Sequence, residues 1–196
     1  REVYATSGPR IAVRTYAGLN LETSVFEDAA FPDNIATEAV PMGGEVSGAQ
    51  SGDQFTLMIE ASADPRGAFL DRVQVVKGWL DEAGETQEQV IDVAWSGGDS
   101  RLDGEGELLS VGTSVDLQTG LTANTIGAPS LRVVWRDPAF DPLQSAFYYG
   151  RVLQIPTARH SLLDALALGG DIDTRRPDTI QERAYTSPIW YQPSSE

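Results

Sequence analysis

The chain has 196 residues, enough to bury one substantial hydrophobic core and too few for two full-sized domains. Hydrophobic residues make up 41% and charged residues 22%, with 19 Gly and 11 Pro and no Cys, which describes a folded, turn-rich chain without disulfides or thiolate metal sites. Its 14 Lys and Arg against 29 Asp and Glu give a formal charge of −15, and the arginines are scattered, so binding to nucleic acid or to an anionic lipid surface is not expected.

In chain order, residues 10–16 alternate apolar and polar and read as a strand with one buried side. Residues 19–51 are polar, Gly-rich and aperiodic, a long surface loop anchored by Phe26, Phe31 and Pro32. In residues 55–61 the positions Phe55, Leu57, Ile59 and Ala61 share one face of a second strand. Residues 71–80 and 89–95 follow as a hairpin around the turn 81–85, and residues 97–112 form a second loop. Residues 131–135 and 146–155 supply two more strands, joined across 137–142, where Pro138 and Pro142 forbid regular pairing. A short helix is expected over 162–168, capped by Ser161 and ended by Gly169-Gly170. The run 180–191 reads as a closing strand, with Pro188 on an edge or at a bulge and Ile189 packed inward.

Seven to eight or more strands with hardly any helix predict a mostly β fold, an antiparallel β-sandwich, immunoglobulin-like or jelly-roll-like, with long loops and one short helix. No apolar run approaches the roughly 20 residues that a membrane-spanning helix needs. No internal repeat of fixed period is present. The start at Arg1 rather than Met, with a finished strand at the other end, gives the expectation that this is the tail of a longer protein. A periplasmic or secreted home is compatible with the lack of Cys.

The side chains that could carry chemistry are few. His160 is the only histidine, and without a nucleophile-elbow pattern around any serine it reads as an ordinary histidine ahead of the helix rather than a triad base or zinc ligand. Asp99, Asp103, Glu105 and Glu107 fall in one Gly-rich loop and Asp171, Asp173 and Asp178 in another. Of these, Asp99, Asp103 and Glu105 are the candidate calcium-type oxygen ligands, although the spacing of a calcium loop is missing and a solvated acidic loop is the simpler reading. Asp92 and Glu60 lie in strands and would be the acids of a carboxylate-pair enzyme; the ordinary explanation is an outward polar position on each strand. Trp79, Trp95, Trp135 and Trp190 are the candidate ligand-binding residues, because two or more of them exposed and coplanar would form a sugar-stacking platform; buried, they would fill the core instead. No catalytic residue is assigned within the chain.

A set of ordered blocks carries a resemblance. Residues 4–10, 41–44 (Pro-Met-Gly-Gly), 70–80, 92–96 (Asp-Val-Ala-Trp-Ser), 111–116, 124–129, 135–142 (Trp-Arg-Asp-Pro-Ala-Phe-Asp-Pro), 146–149 (Ala-Phe-Tyr-Tyr) and 182–191 together resemble the C-terminal part of a bacterial family known as domain of unknown function 3604. The match departs at Ala158 and His160, where the family has Pro and an aromatic. Long members of the family look like relatives of the polymerase-and-histidinol-phosphatase metal-dependent hydrolases, with a distorted barrel ahead of this region. The resemblance implies that residues 1–8 are the end of that barrel or a linker, with residues 1–7 finishing a helix, and that 9–196 form a single β-sandwich domain. It implies an accessory, non-catalytic role, with the upstream catalytic domain of the same polypeptide as partner. It places no cofactor in this chain and divalent manganese or zinc in the upstream domain, where the metal would activate water. A hydrophobic patch exposed near the chain start is the expected sign of such packing. The alternatives are a carbohydrate- or ligand-binding module using surface aromatics and, ranked last, a free-standing enzyme with a carboxylate pair.

Overall fold

The alternation in residues 55–61 organises the first of two packed sheets. Strand β5 (Phe55–Ser62) turns Phe55, Leu57, Ile59 and Ala61 to the interior and pairs with β2 (Ala12–Leu19) on one edge and β8 (Ser130–Arg136) on the other. A short β3 (Val40–Pro41) extends the far edge of β2, giving the order β3-β2-β5-β8. The computed structural model describes residues 2–22, 24, 35, 38–171 and 175–194.

The second sheet is built on β6 (Leu70–Leu80), which pairs antiparallel with β7 (Thr86–Trp95) and with β9 (Ala146–Gln154). The other edge of β9 is shared by β12 (Arg183–Thr186) and β13 (Ile189–Gln192), which act as two halves of one strand. Tyr185 pairs with Arg151 and Ile189 with Tyr148, so the later strand spends one residue more than β9 over this interval. Ser187-Pro188 is therefore a bulge, where a proline costs the ladder no donor. Ile189 is fully buried, as the closing strand requires. Beyond this column lie β1 (Tyr4–Thr6), antiparallel to β12, and β4 (Glu45–Ser47), parallel to β13. One main core fills the space between the sheets, with Phe55, Leu57 and Ile59 meeting Val75, Tyr148 and Tyr191. The β-sandwich is borne out, with one parallel pair in it.

Several local expectations are corrected. Residues Tyr4–Thr6 form a strand hydrogen-bonded to β12, not the end of a helix. The loop expected over 19–51 contributes β3 and β4, and its Leu21, Ile35 and Ala39 cover Met58 on the outer face of the first sheet. Phe26, Phe31 and Pro32 lie outside the described residues. Helix α1 (His160–Leu168) starts earlier than expected, with Arg159 as its N-cap and no side-chain capping bond, so Ser161 sits inside the first turn. Its end is as read: Gly169 takes φ 65°, the left-handed conformation that glycine adopts without penalty. Leu162 and Ala165 are its buried residues. A two-stranded ribbon of β10 (Thr157–Ala158) and β11 (Thr179–Ile180) brackets this helix in sequence.

Candidate functional site

The four tryptophans do not form one exposed platform, although Trp79 and Trp190 border the same hollow. Trp79 and Trp135 are half-buried and pack against the main core, and Trp135 approaches Tyr148 at 6.4 Å. Trp95 is half-buried at the far end of β7, where its Nε1 donates to the Gly98 carbonyl at 3.0 Å. Trp190 alone of the four is exposed, at 44%. Around it the outward positions of the second sheet gather other rings: Phe147 at 5.4 Å from Trp190, Tyr149 at 6.4 Å from Phe147, and Tyr185 at 6.4 Å from Tyr149. Of these rings Tyr149 is among the strand aromatics legible in the sequence as a stacking candidate, whereas Phe147 and Tyr185 are not. The signal for Phe147 was the parity of β9, where Ala146, Tyr148, Gly150 and Val152 are buried and the residues between them face out.

Two adjoining hollows use Trp190. One, of about 440 Å³, is lined by Gly78, Trp79, Leu80, Phe147 and Trp190 together with Gln192, so two of the four tryptophans border it. Gly78 is required here, because a Cβ at that position would come within 2.2 Å of the Phe147 ring. The other, of about 280 Å³, is lined by Val3, Gly43, Ser187, Pro188 and Trp190. Val3 is 64% and Tyr4 45% exposed. The amide and hydroxyl of Ser187 both donate to the Val3 carbonyl, which fixes β1 beside the bulge and carries the apolar surface from Trp190 to the start of the chain.

A second constellation is internal. Lys77 lies on the inward side of β6, with only 4% of its side chain exposed, and donates from Nζ to Asp137 Oδ2 at 2.6 Å and to the Ala139 carbonyl at 2.9 Å. Asp137, 2% exposed at the side chain, also accepts the Tyr148 hydroxyl on Oδ2 at 2.8 Å and the Ala139 N–H on Oδ1 at 2.9 Å. Trp79 and Tyr148 place their rings 5.2 and 5.6 Å from the ammonium. Burial, with the neighbouring Asp137 charge and the hydrogen bond to it, pushes the Tyr148 phenol far above its ordinary range, so it serves as a donor.

A third polar group ties the loop after β7 to the sheet. Asp71, fully buried at an irregularity in β6, accepts from Arg101 Nη1 at 2.7 Å, Gln181 Nε2 at 2.9 Å and Arg72 Nε at 3.1 Å. Arg101 reaches on to the Leu109 carbonyl, clamping the 3-10 turn Gly98–Arg101 and the chain beyond it. Asp92 is held by Arg72 at 2.9 Å and Gln74 at 2.8 Å on the outside of the second sheet. Glu60 pairs with Arg14 and Arg132 on the outer face of the first. The two acids thus stand on opposite outer faces, each neutralised by arginine, and do not line a common cleft.

Of the acidic loop residues, Asp103 is engaged with the loop's own backbone. Asp103 Oδ1 accepts the N–H groups of Glu105 and Glu107, each at 2.9 Å. Among the described residues no group of three or more His, Cys, Asp or Glu is placed to hold a metal ion, so Asp99, Asp103 and Glu105 are not brought together as a ligand set; Asp173 lies outside those residues. His160 begins α1 and borders a shallow hollow with Arg159, Asp164 and Arg176. No helix among the described residues is long and apolar enough to cross a membrane.

Comparison with curated proteins and with solved structures returns no match in either case. A family model covers the blocks just placed in the two sheets, from β1 through the bulge to β13, and on that match over residues 1–193 the chain belongs to the family described as "Protein of unknown function (DUF3604)".

Proposed function

We propose that this β-sandwich is an accessory, non-catalytic module that packs against a metal-dependent hydrolase barrel of the same polypeptide and helps to shape access to that barrel's substrate entrance. The observation that carries the reading is the apolar surface joining Val3, Pro188 and Trp190, of which Val3 and Trp190 are each more than two-fifths exposed. A contiguous apolar patch beside the first strand is what a surface covered by a preceding domain looks like when that domain is taken away. The barrel, its divalent metals and its phosphoester-type substrates come from the family resemblance.

The test compares the full-length parent with this segment, assayed against a phosphoester panel with manganese and with zinc, and followed by hydrogen exchange. Turnover should belong to the full-length protein alone, and amides of β1 and β13 should exchange more slowly in it than in the segment. Metal-dependent turnover by the segment alone, or equal exchange in the two proteins, overturns the reading. The groove beside Trp190 and Phe147 favours a second reading, a carbohydrate- or ligand-binding module, since its volume of about 440 Å³ falls in the range of small-molecule sites. Saturable quenching of Trp190 fluorescence by neutral sugars, lost in Trp190→Ala, would decide for it.

A further inference from the structure

We propose that Lys77 and Asp137 become joined by a self-formed amide bond that crosslinks the two sheets through the core. Lys77 sits in the middle of β6, in the second sheet; Asp137 is the first residue after β8, in the other. Their side chains meet inside the sandwich, 4% and 2% exposed, with Nζ and Oδ2 2.6 Å apart. A buried ion pair needs only an acceptor for the ammonium and donors for the carboxylate. What distinguishes this one is that the two oxygens of the carboxylate are differently prepared.

Oδ1 takes the backbone N–H of Ala139 at 2.9 Å, a fixed dipole at the oxygen where negative charge would collect during attack on Cγ. Oδ2 takes the Tyr148 O–H at 2.8 Å and the lysine, donors at the oxygen that would leave. The Ala139 carbonyl, 2.9 Å from Nζ, holds the nitrogen against the carboxyl group. Phe55 stacks on Tyr148 at 4.2 Å and Trp135 borders the same ring, so the surroundings are aromatic and exclude bulk water, which otherwise favours hydrolysis over condensation. Holding amine and acid in contact supplies the proximity that a bimolecular condensation lacks.

The step balances without a cofactor. Nζ passes one proton to Oδ2, leaving a neutral amine beside a carboxylic acid. The nitrogen lone pair then forms the Nζ–Cγ bond while charge moves to Oδ1 under the Ala139 N–H. The Cγ–Oδ2 bond breaks, and Oδ2 departs as water with the proton it received and a second from the nitrogen, assisted by the Tyr148 hydroxyl. One ammonium and one carboxylate become one amide and one water, with no net change of charge.

The experiment is the intact mass of the folded, purified protein measured under denaturing conditions, followed by tryptic mapping. The mass should be one water below that of the sequence. Cleavage after Lys77 should be lost, and a branched peptide should join the Lys77 and Asp137 segments. Lys77→Met and Asp137→Ala should each show the full mass of their own sequence. Tyr148→Phe should slow the loss of water, leaving an uncrosslinked fraction in freshly made protein. Wild-type protein at its full sequence mass, or a missing water mapped to other residues, overturns the proposal. The wild-type map decides even where a variant does not fold.

Discussion

Lys77 stands where the parity of β6 calls for an apolar side chain, between Val75 and Trp79 on the inward side. That parity was legible in the sequence; the partner was not. Asp137 follows β8 in a Pro-rich connector, and no spacing rule links residue 137 to residue 77 across two sheets. Tyr148 is the cross-strand neighbour of Lys77, so its hydroxyl completes the group. In the form without the crosslink, compared in the Lys77→Met background, Tyr148→Phe removes one donor from the buried Asp137 carboxylate and should cost about 1–3 kcal/mol in urea unfolding. The same variant has a pH signature. The folded-state value of Tyr148 lies above its unfolded value near 10, so its contribution is complete below about pH 10 and is lost as pH rises toward the folded value, because only the unfolded chain ionises readily. Wild-type stability should therefore fall more steeply than that of Tyr148→Phe above about pH 10 in alkaline titrations followed by circular dichroism. Parallel slopes would remove Tyr148 from that account.

At the scale of elements, the long strands were readable because period-two alternation survives in β2 and β9, where one side faces the core, and in the inward series Phe55, Leu57, Ile59 and Ala61 of β5, whose other side is covered in part as well. The short strands β1, β3 and β4 were not, since two or three residues carry no period and they exist through pairing with β12, β2 and β13. Gly78 shows how pairing also sets identity. It lies opposite Phe147, whose ring crosses over it, so the glycine is a contact surface rather than a turn. Gly78→Ala should destabilise by about 1–3 kcal/mol through overpacking. Combining it with Phe147→Ala should recover most of that loss in a double-mutant cycle read by urea midpoints, and additive losses would show that the ring is not the cause.

Turns have their own pH response. Asp81 is held below the usual carboxylate range first by the Glu85 N–H, Asp116 by that of Gln118, Asp53 by that of Gln50 and Asp64 by that of Arg66. Each lowered value means stability that is present above an unfolded value near 4 and lost as pH falls through the folded one. Amide exchange at Glu85 and Gln118, corrected for the intrinsic rate, should lose protection as pH drops below about 4, before the strands of the core do. Simultaneous loss everywhere would instead mark global unfolding.

For the whole molecule, the sandwich followed from strand count and punctuation, whereas the candidate surface did not, because exposure at Trp190 depends on the outward side of a column assembled from β12 and β13. Charge acts at this scale as well. With 29 acidic against 14 basic side chains, the folded chain concentrates a formal −15 that the expanded chain spreads out. Salt shortens the reach of that repulsion to about 10 Å at 0.1 M, while the buried contact of Asp71 with Arg101 is shielded from the solvent ions. Two effects then compete as salt is added: repulsion over the surface weakens, and so do exposed pairs such as Arg132 with Glu60, which contribute little in any case. The first should win. The melting temperature at neutral pH should rise between low salt and about 0.2 M sodium chloride, where the screening length falls below that at 0.1 M. A fall over the same range would mean that the exposed ion pairs outweigh the excess of carboxylates.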